Sequence, residues 1–384
     1  MCVSYDGTWQ KRGHSSLYGI GFVIDNSTGL VVDYEILSKY CHDCVVTKSD
    51  LGANSPEFHV WHTSHEPECQ KNFDGSSNSM EMAAALILWS RSLDHNMRYV
   101  TMLCDGDAKA YQHLNDKRVY GDTAINKEEC INHVAKRLGT GLRNKVQEWK
   151  NKGVTLGGKK KGALKDDTIK RLQNYYRNAI KDNAPDVSKM KSAIFASLFH
   201  CMSSNKKPMH NKCPVGEASW CFYQRALAKG ENPSSHANMK TVLSETVVEK
   251  IMPVYQRLAS DEILAKCISA KTQNSNECLH SVLWNKCPKE IFVSKKRLEL
   301  AVLTAVREFN LGCVSSLEKL ATNIDANDFS MSIAEKRDKR RQSQLTKRKS
   351  NDYKMKRNKK KFKCATKNAK ILKREGATYG AGQF

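Results

Sequence analysis

Short apolar, β-rich runs punctuate the first forty residues, and that pattern breaks after them. CVSYD (2–6), LYGIGFVID (17–25) and LVVDYEILSK (30–39) read as three strands, with Asn26-Ser27-Thr28-Gly29 as the turn between the second and third. Together they predict an antiparallel meander. The first strand is expected to end on Asp6, with Gly7 letting the chain turn beside it. Residues 40–75 are rich in Cys, His, Pro, Asn and Gly and follow neither a helical nor a strand period. MEMAAALILWSRSL (80–93) predicts a helix with Ser76, Ser77 and Ser79 available as caps. RYVTMLCD (98–105) is an apolar run closing on an acid and predicts a fourth strand, followed by a helix over AKAYQHLN. From about 127 to 270 the pattern is helical, interrupted by GVTLGGKKKGALKDD, and contains no further strand. Helical patterns return at 275–285 and 295–310, whereas 335–374 has almost no large apolar residues and no period. That last stretch predicts a solvated, weakly helical or disordered tail.

Three strands, a helix, a fourth strand ending on an acid and a long helical stretch make an α/β chain. Their order is that of a ribonuclease H-like mixed-sheet core interrupted by an all-helical insertion. The expected layout is a first part of the core over 1–118, with 41–72 as a zinc-binding loop inside it. A helical insertion over 119–268, final core helices over 269–330 and a basic tail over 331–384 complete it.

Charge sharpens this picture. The 384 residues carry a formal charge of +23, and residues 335–374 alone hold 19 Lys and Arg against three acids, about +16. A basic tail on a folded body points to a polyanion, nucleic acid above all, bound through counterion release. KRDKRR (336–341), with Lys339, Arg340 and Arg341, and KRNKKKFK (356–363), with Lys359, Lys360 and Lys361, read as nuclear localisation signals or DNA-backbone contacts. The expected location is the nucleus. GGKKKG (157–162) puts Lys159, Lys160 and Lys161 in one loop; it lacks the Gly-Lys-Ser/Thr ending of a phosphate-binding loop. No run of 18 apolar residues predicts a membrane span, and the polar start of the chain predicts no secretory leader.

Fourteen cysteines in a chain of this size, several beside histidines, predict reduced thiols with a subset on metal. Cys41-x2-Cys44 followed by His65-x3-Cys69 has the two-pair spacing of a closed tetrahedral zinc site; His59 or His62 could replace His65. Cys130-x2-His133 with His210-x2-Cys213 would make a second Cys2His2 site, with His200 and Cys221 as alternative ligands. Neither set would leave an open position for catalysis.

Two-metal phosphoryl transfer needs about three carboxylates converging from separate elements. Asp6 and Asp105 stand at expected strand ends, and Glu277 lies at the start of a late helix. Asp107, one step into the Asp-Gly-Asp turn, competes with Asp105. Asp6 in SYDGTWQKRG, Asp105 in MLCDGDAKAY, Cys130-x-x-His133 in KEECINHVAKRLG and Glu277 in TQNSNE together resemble the Mutator-like transposases. The resemblance is nearest to the branch whose domain begins with a VSxDGTWxKRG strand, and runs from residue 3 to about 315. It implies a DDE-type transposase with a ribonuclease H-like core, a helical insertion between the second Asp and the Glu, and catalytic Mg²⁺ or Mn²⁺. Asp6, Asp105 and Glu277 would hold the metal, zinc would be structural, and Lys11 and Arg12 would meet DNA phosphates. The partners implied are DNA and further copies of the chain on transposon ends, with no small-molecule substrate. The alternatives are a transposase-derived DNA-binding protein without chemistry, a truncated copy, or a general nuclease of the same fold.

Overall fold

The computed structural model describes residues 1–10, 16–105, 109–158, 160–239, 241–321 and 328–350. Five strands form one mixed sheet: β1 Cys2–Trp9, β2 Tyr18–Asp25, β3 Val31–Ser38, β4 Thr101–Cys104 and β5 Asn126–Glu129. Their order is β3-β2-β1-β4-β5. β1, β2 and β3 are antiparallel neighbours, while β4 runs parallel to β1 and β5 parallel to β4.

The first strand does not end at Asp6. It continues to Trp9, with Asp6 opposite Phe22 and Gly7 opposite Gly21. Gly7 therefore makes no turn. A Cβ there would come within 3.2 Å of the Glu81 side chain, so the glycine lets a helix approach the strand. β5, with the sequence NKEE, was not expected at all. It has no apolar alternation, and its buried Glu129 is paired with Arg137 and lies 3.7 Å from Lys127.

Helices α1 His42–Leu51 and α2 Pro56–His65 occupy the segment that shows no sequence period. Neither buries a side chain, which is why no apolar stripe marks them. Helix α3 Met80–Arg91 covers one face of the sheet. Tyr5 and Trp89 meet edge to face at 5.6 Å, and the Tyr5 hydroxyl donates to Glu81 O at 2.6 Å. A Cβ on Gly21 would stand 2.9 Å from that of Ala84, so helix and sheet pack closer here than any larger residue would permit. α4 Lys109–Asp116 follows β4.

A helical body comes next: α5 Ile131–Asn151, α6 Asp166–Asn183, α7 Val187–His200, α8 Phe222–Ala228, α9 Glu245–Leu258 and α10 Asp261–Ala265. It has its own core. Leu138 and Leu142 of α5, Leu172 and Tyr176 of α6, Ile194 of α7 and Ile251 of α9 are all fully buried there. Backbone bonds join this body to the sheet where the metal-binding acids are expected. Cys130 N donates to Cys104 O at 3.2 Å, Glu129 N to Lys266 O at 2.7 Å and Ile131 N to Lys271 O at 3.2 Å. The Glu129 contact also satisfies a group on the outer edge of β5.

α11 Asn274–Lys286 and α12 Lys295–Leu311 follow, then α13 Cys313–Ala321 and α14 Asp328–Lys349. The chain divides into two compact units, the second beginning at Leu303. Within that second unit the Asp338 carboxylate accepts from Cys313 N and Val314 N, both at 2.9 Å, at the start of α13. The stretch expected to be a solvated, weakly helical or disordered tail is helical as far as Lys349. Residues 351–384 lie outside the described residues. Among the described residues no helix is long and apolar enough to cross a membrane.

Candidate active site and metal centres

β1 outruns β4. Their last registered pair is Ser4 with Leu103, and Asp6 and Asp105 each lie two residues beyond it, side by side where the parallel ladder stops. Past that point the free stretch of β1 is held by other groups. Gln273 Nε2 donates to Tyr5 O at 2.9 Å, while Gln273 N points to Cys130 Sγ at 3.4 Å.

Glu277 is brought in by a match between strand and helix. Ser4 Oγ donates to Asn276 Oδ1 at 2.6 Å, His280 Nδ1 stands 3.9 Å from Asp6 Oδ2, and Trp284 Nε1 donates to Thr8 Oγ1 at 2.9 Å. Alternate residues of β1 thus meet every fourth residue of α11. Two strand residues span about 6.7 Å and four helical residues about 6.0 Å, so the two elements keep step over three contacts. The Glu277 side chain is 59% exposed and its Oε1 lies 3.8 Å from Lys136 Nζ.

The electrostatics of Asp6 reflect these neighbours. Burial raises the Asp6 carboxyl, the Asp105 carboxylate raises it further, His133 opposes them and Glu277 adds to the rise; the result is about 7 instead of 3.8. His280 is driven the other way, to about 4, by burial and then by Lys289, so its ring is neutral at pH 7 and its approach to Asp6 is not an ion pair. Cys130 and His133 belong to this site. Burial alone would raise the Cys130 thiol, but hydrogen bonds from His133 and from backbone N–H groups outweigh it and lower the thiol. His133 is raised, first by its hydrogen bond to Cys130.

Four buried polar atoms around Asp6 find no hydrogen-bond partner among the described residues: His133 Nδ1, Gln273 Oε1, Asn276 Nδ2 and His280 Nε2. Buried polar atoms left open in this way mark a place for water or an ion. The charges of Asp105 and Glu277 both act on Asp6, and carboxylate oxygens, as hard donors, suit a divalent cation such as Mg²⁺ or Mn²⁺. Gln273, Asn276 and His280 were not singled out as site residues from sequence. The available signal was the spacing of Asn276, His280 and Trp284 on one helical face. Asp107, Lys11 and Arg12 lie outside the described residues.

The first Cys/His set assembles as its spacing predicts. One ligand atom from each of Cys41, Cys44, His65 and Cys69 lies within 4.8 Å of all the others. Cys41 Sγ is 3.3 Å from His65 Nε2 and Cys44 Sγ is 3.5 Å from Cys69 Sγ. Trp61 stacks on His65 with centroids 4.6 Å apart and fixes its ring. Burial would raise the Cys41 thiol, yet the backbone N–H groups of Cys44 and Gln70 and the His65 ring bring it down to about 6, towards the thiolate that zinc needs. The donor set fits zinc.

The second set partitions differently from the Cys130/His133/His210/Cys213 expectation. His210 and Cys213 gather instead with His200 and Cys221, while Cys130 and His133 pair with each other and His133 acts on Asp6. The reason is topological: Cys130 opens α5 at the sheet, whereas His200 closes α7 and Cys221 caps α8, both at the other set's position.

Of the expected DNA-contacting residues, Lys160 and Lys161 are exposed in their loop. Lys339 pairs with Glu335 at 3.0 Å, and the Arg341 guanidinium is spent on Glu308 O and Phe309 O, both at 3.3 Å. Lys159, Lys359, Lys360 and Lys361 lie outside the described residues.

The fold and its side chains define a class before any comparison: an α/β protein whose mixed sheet carries Asp6 and Asp105 just past the last β1–β4 pair, and which holds two Cys/His sets able to bind a metal ion. A family model for the Mutator-like transposase matches residues 1–221, and the chain belongs to that family. The match contains Asp6, Asp105 and both Cys/His sets; Glu277 lies beyond it. No curated protein and no solved structure matches the chain.

Proposed function

We propose that the chain is a DDE-type transposase that cuts DNA and transfers a strand, with Asp6, Asp105 and Glu277 as the metal-holding triad. The observation that carries this reading is the setting of Asp6, raised to about 7 by burial first, then by the Asp105 charge and to a smaller extent by Glu277, together with the contacts that seat α11 on β1 beside it. The strand order, with three antiparallel strands followed by two parallel ones, supports a ribonuclease H-like core. Membership of a transposase family supports DNA as substrate and divalent-metal chemistry.

A divalent cation bound by these carboxylates would activate the attacking water or 3′-hydroxyl and stabilise the leaving oxygen. The protein's own part is positioning. Ser4 and Trp284 lock α11 against β1 on either side of Asp6, so that Glu277 is held at the strand ends. The neutral His280 ring walls Asp6 on the core side without cancelling its charge. Lys136, beside Glu277, and the exposed Lys160 and Lys161 are cations suited to DNA phosphates. Zinc on Cys41, Cys44, His65 and Cys69 would be structural. Assembly of several copies on transposon ends and a nuclear location complete the reading.

The test is nicking of supercoiled plasmid in Mg²⁺ or Mn²⁺ by wild type and by Asp105→Asn. Nicking by wild type alone supports the triad. DNA binding without nicking by wild type at saturating Mn²⁺ supports instead a DNA-binding protein that has lost its chemistry.

A further inference from the structure

His200 is the last residue of α7 and Cys221 is the N-cap of α8. Between them runs a long segment that contains no helix or strand. Connections of this length without secondary structure are uncommon in compact domains and need something else to fix them. Four side chains at its ends and middle meet at one point. His200 Nδ1 and His210 Nδ1 are 3.1 Å apart; Cys213 Sγ lies 3.7 Å and 3.9 Å from them, and Cys221 Sγ 3.6 Å and 3.4 Å. With Zn–N near 2.0–2.1 Å and Zn–S near 2.3 Å, a tetrahedral centre puts its ligand atoms about 3.3–3.8 Å apart. The observed separations cluster around those values.

The surroundings select the tautomer that metal binding needs. His210 Nε2 faces His236 Nε2 at 2.8 Å, and His236 Nδ1 faces Asn205 Oδ1 at 2.7 Å. Asn205 Oδ1 also accepts from His236 N at 2.9 Å, which fixes it as the acceptor. His236 must then carry its proton on Nδ1 and accept on Nε2. His210 must donate from Nε2, which leaves the Nδ1 lone pair directed at the two sulfurs and at His200. A ligating histidine whose second nitrogen is held by a hydrogen-bonded partner is the usual outer shell of a metal site. Tyr223 stacks on the His210 ring at 4.5 Å, and Gln224 Nε2 donates to His210 O at 2.9 Å, so the ring is held from the backbone side too.

We propose that His200, His210, Cys213 and Cys221 bind one Zn²⁺ as a closed N2S2 site, with His236 and Asn205 as positioning residues behind His210. Two thiolates neutralise the ion, and a tetrahedral S2N2 set selects zinc over harder cations. Four protein ligands leave no open position, so the metal is structural. It clamps the end of α7 to the start of α8 and fixes the segment between. This centre is separate from the acidic site, and its presence does not depend on DNA cleavage.

Zinc per chain, measured by elemental analysis and by release to a chromophoric chelator, tests the site. Wild type should hold two equivalents. The double variant Cys44→Ser/Cys69→Ser, which removes the other cluster, should keep one, and Cys213→Ser in that background should keep none. If Cys213→Ser fails to fold, cobalt uptake by the double variant decides: one equivalent with the visible bands of tetrahedral S2N2 coordination supports the site, and no uptake overturns it. His236→Ala should keep the stoichiometry at excess zinc but weaken affinity about 10–100-fold in chelator competition. A double variant that holds no zinc overturns the proposal.

Discussion

Ser4 Oγ donates to Asn276 Oδ1 at 2.6 Å across 272 residues of chain, with both side chains buried. The bond helps to set the register of α11 on β1 and so which helical residue, His280, stands beside Asp6. Removing the donor strands a buried amide oxygen, a loss of about 1–3 kcal/mol. Ser4→Ala should therefore destabilise the protein by that amount in urea or thermal unfolding. It should also lower metal-dependent nicking by more than the lost folded fraction explains, because Glu277 is displaced. If nicking per folded molecule is unchanged, this bond does not position the third carboxylate.

Asp6 makes stability depend on pH in a definite direction. Its folded pKa, about 7, lies above the unfolded value of 3.8. Its contribution is therefore fully present below about pH 4 and is lost as pH rises through about 7. The side chain is 30% exposed, so solvent screening reduces the effect to about 2 kcal/mol. Without divalent metal, Asp6→Asn should raise Tm at pH 8 and leave it nearly unchanged at pH 4. Mn²⁺ should raise the Tm of wild type more at pH 8 than at pH 6, since protonation competes with the metal, and should do little for Asp6→Asn. Thermal scans with and without Mn²⁺ at each pH measure both effects, and a variant that gains no stability at pH 8 would contradict the cause assigned here.

The Cys41/Cys44/His65/Cys69 set makes a local prediction. Neither α1 nor α2 buries a side chain, so little besides the cluster holds them. Small metal-held segments of this kind lose their structure with the ion. Cys44→Ser, or a strong chelator, should open the chain to trypsin at Lys48 while α3 and the sheet stay protected. Mass spectrometry of a brief digest reads the cut. Protection of Lys48 in the variant would mean that the helices hold without metal.

Legibility followed the kind of force at work. β2 is buried at every position and β1 is buried from Val3 to Tyr5, so the meander showed itself as β-rich apolar runs closed by a turn signal. The long helices did so through stripes such as Leu138 and Leu142. Short ligand spacing also revealed Cys41, Cys44, His65 and Cys69. Elements held by polar or metal contacts were hidden. β5 is held by backbone pairing to β4 and by ions around Glu129, and α1 and α2 have no apolar face. α14 has charges along its length and is seated through Asp338, which the sequence offered only as one acid in a basic run. Cys130-x2-His133 misled because a Cys-x2-His pair opening a helix beside carboxylates looks, in sequence, like half a zinc site. The three acids became a set through resemblance, since each alone reads as an ordinary turn or surface carboxylate.

The basic C-terminal stretch should supply DNA affinity without selecting sequence. Because α14 extends to Lys349 and is joined to α13 through Asp338, a cut at residue 335 would remove a packed helix along with the charge. The informative truncation removes 351–384, which takes away 11 Lys and Arg against two acids. If six of those bases meet phosphates, they contribute about −5 to the slope of log K against log salt on duplex DNA. The truncated protein should bind every duplex more weakly by a similar factor, show a flatter salt dependence and keep the Tm of the full chain. Fluorescence anisotropy with two unrelated duplexes between 50 and 200 mM salt, about the range where counterion release dominates, measures this. Unchanged affinity and slope would assign those charges to import or solubility and leave DNA to the folded body, where Lys136, Lys160 and Lys161 are exposed cations.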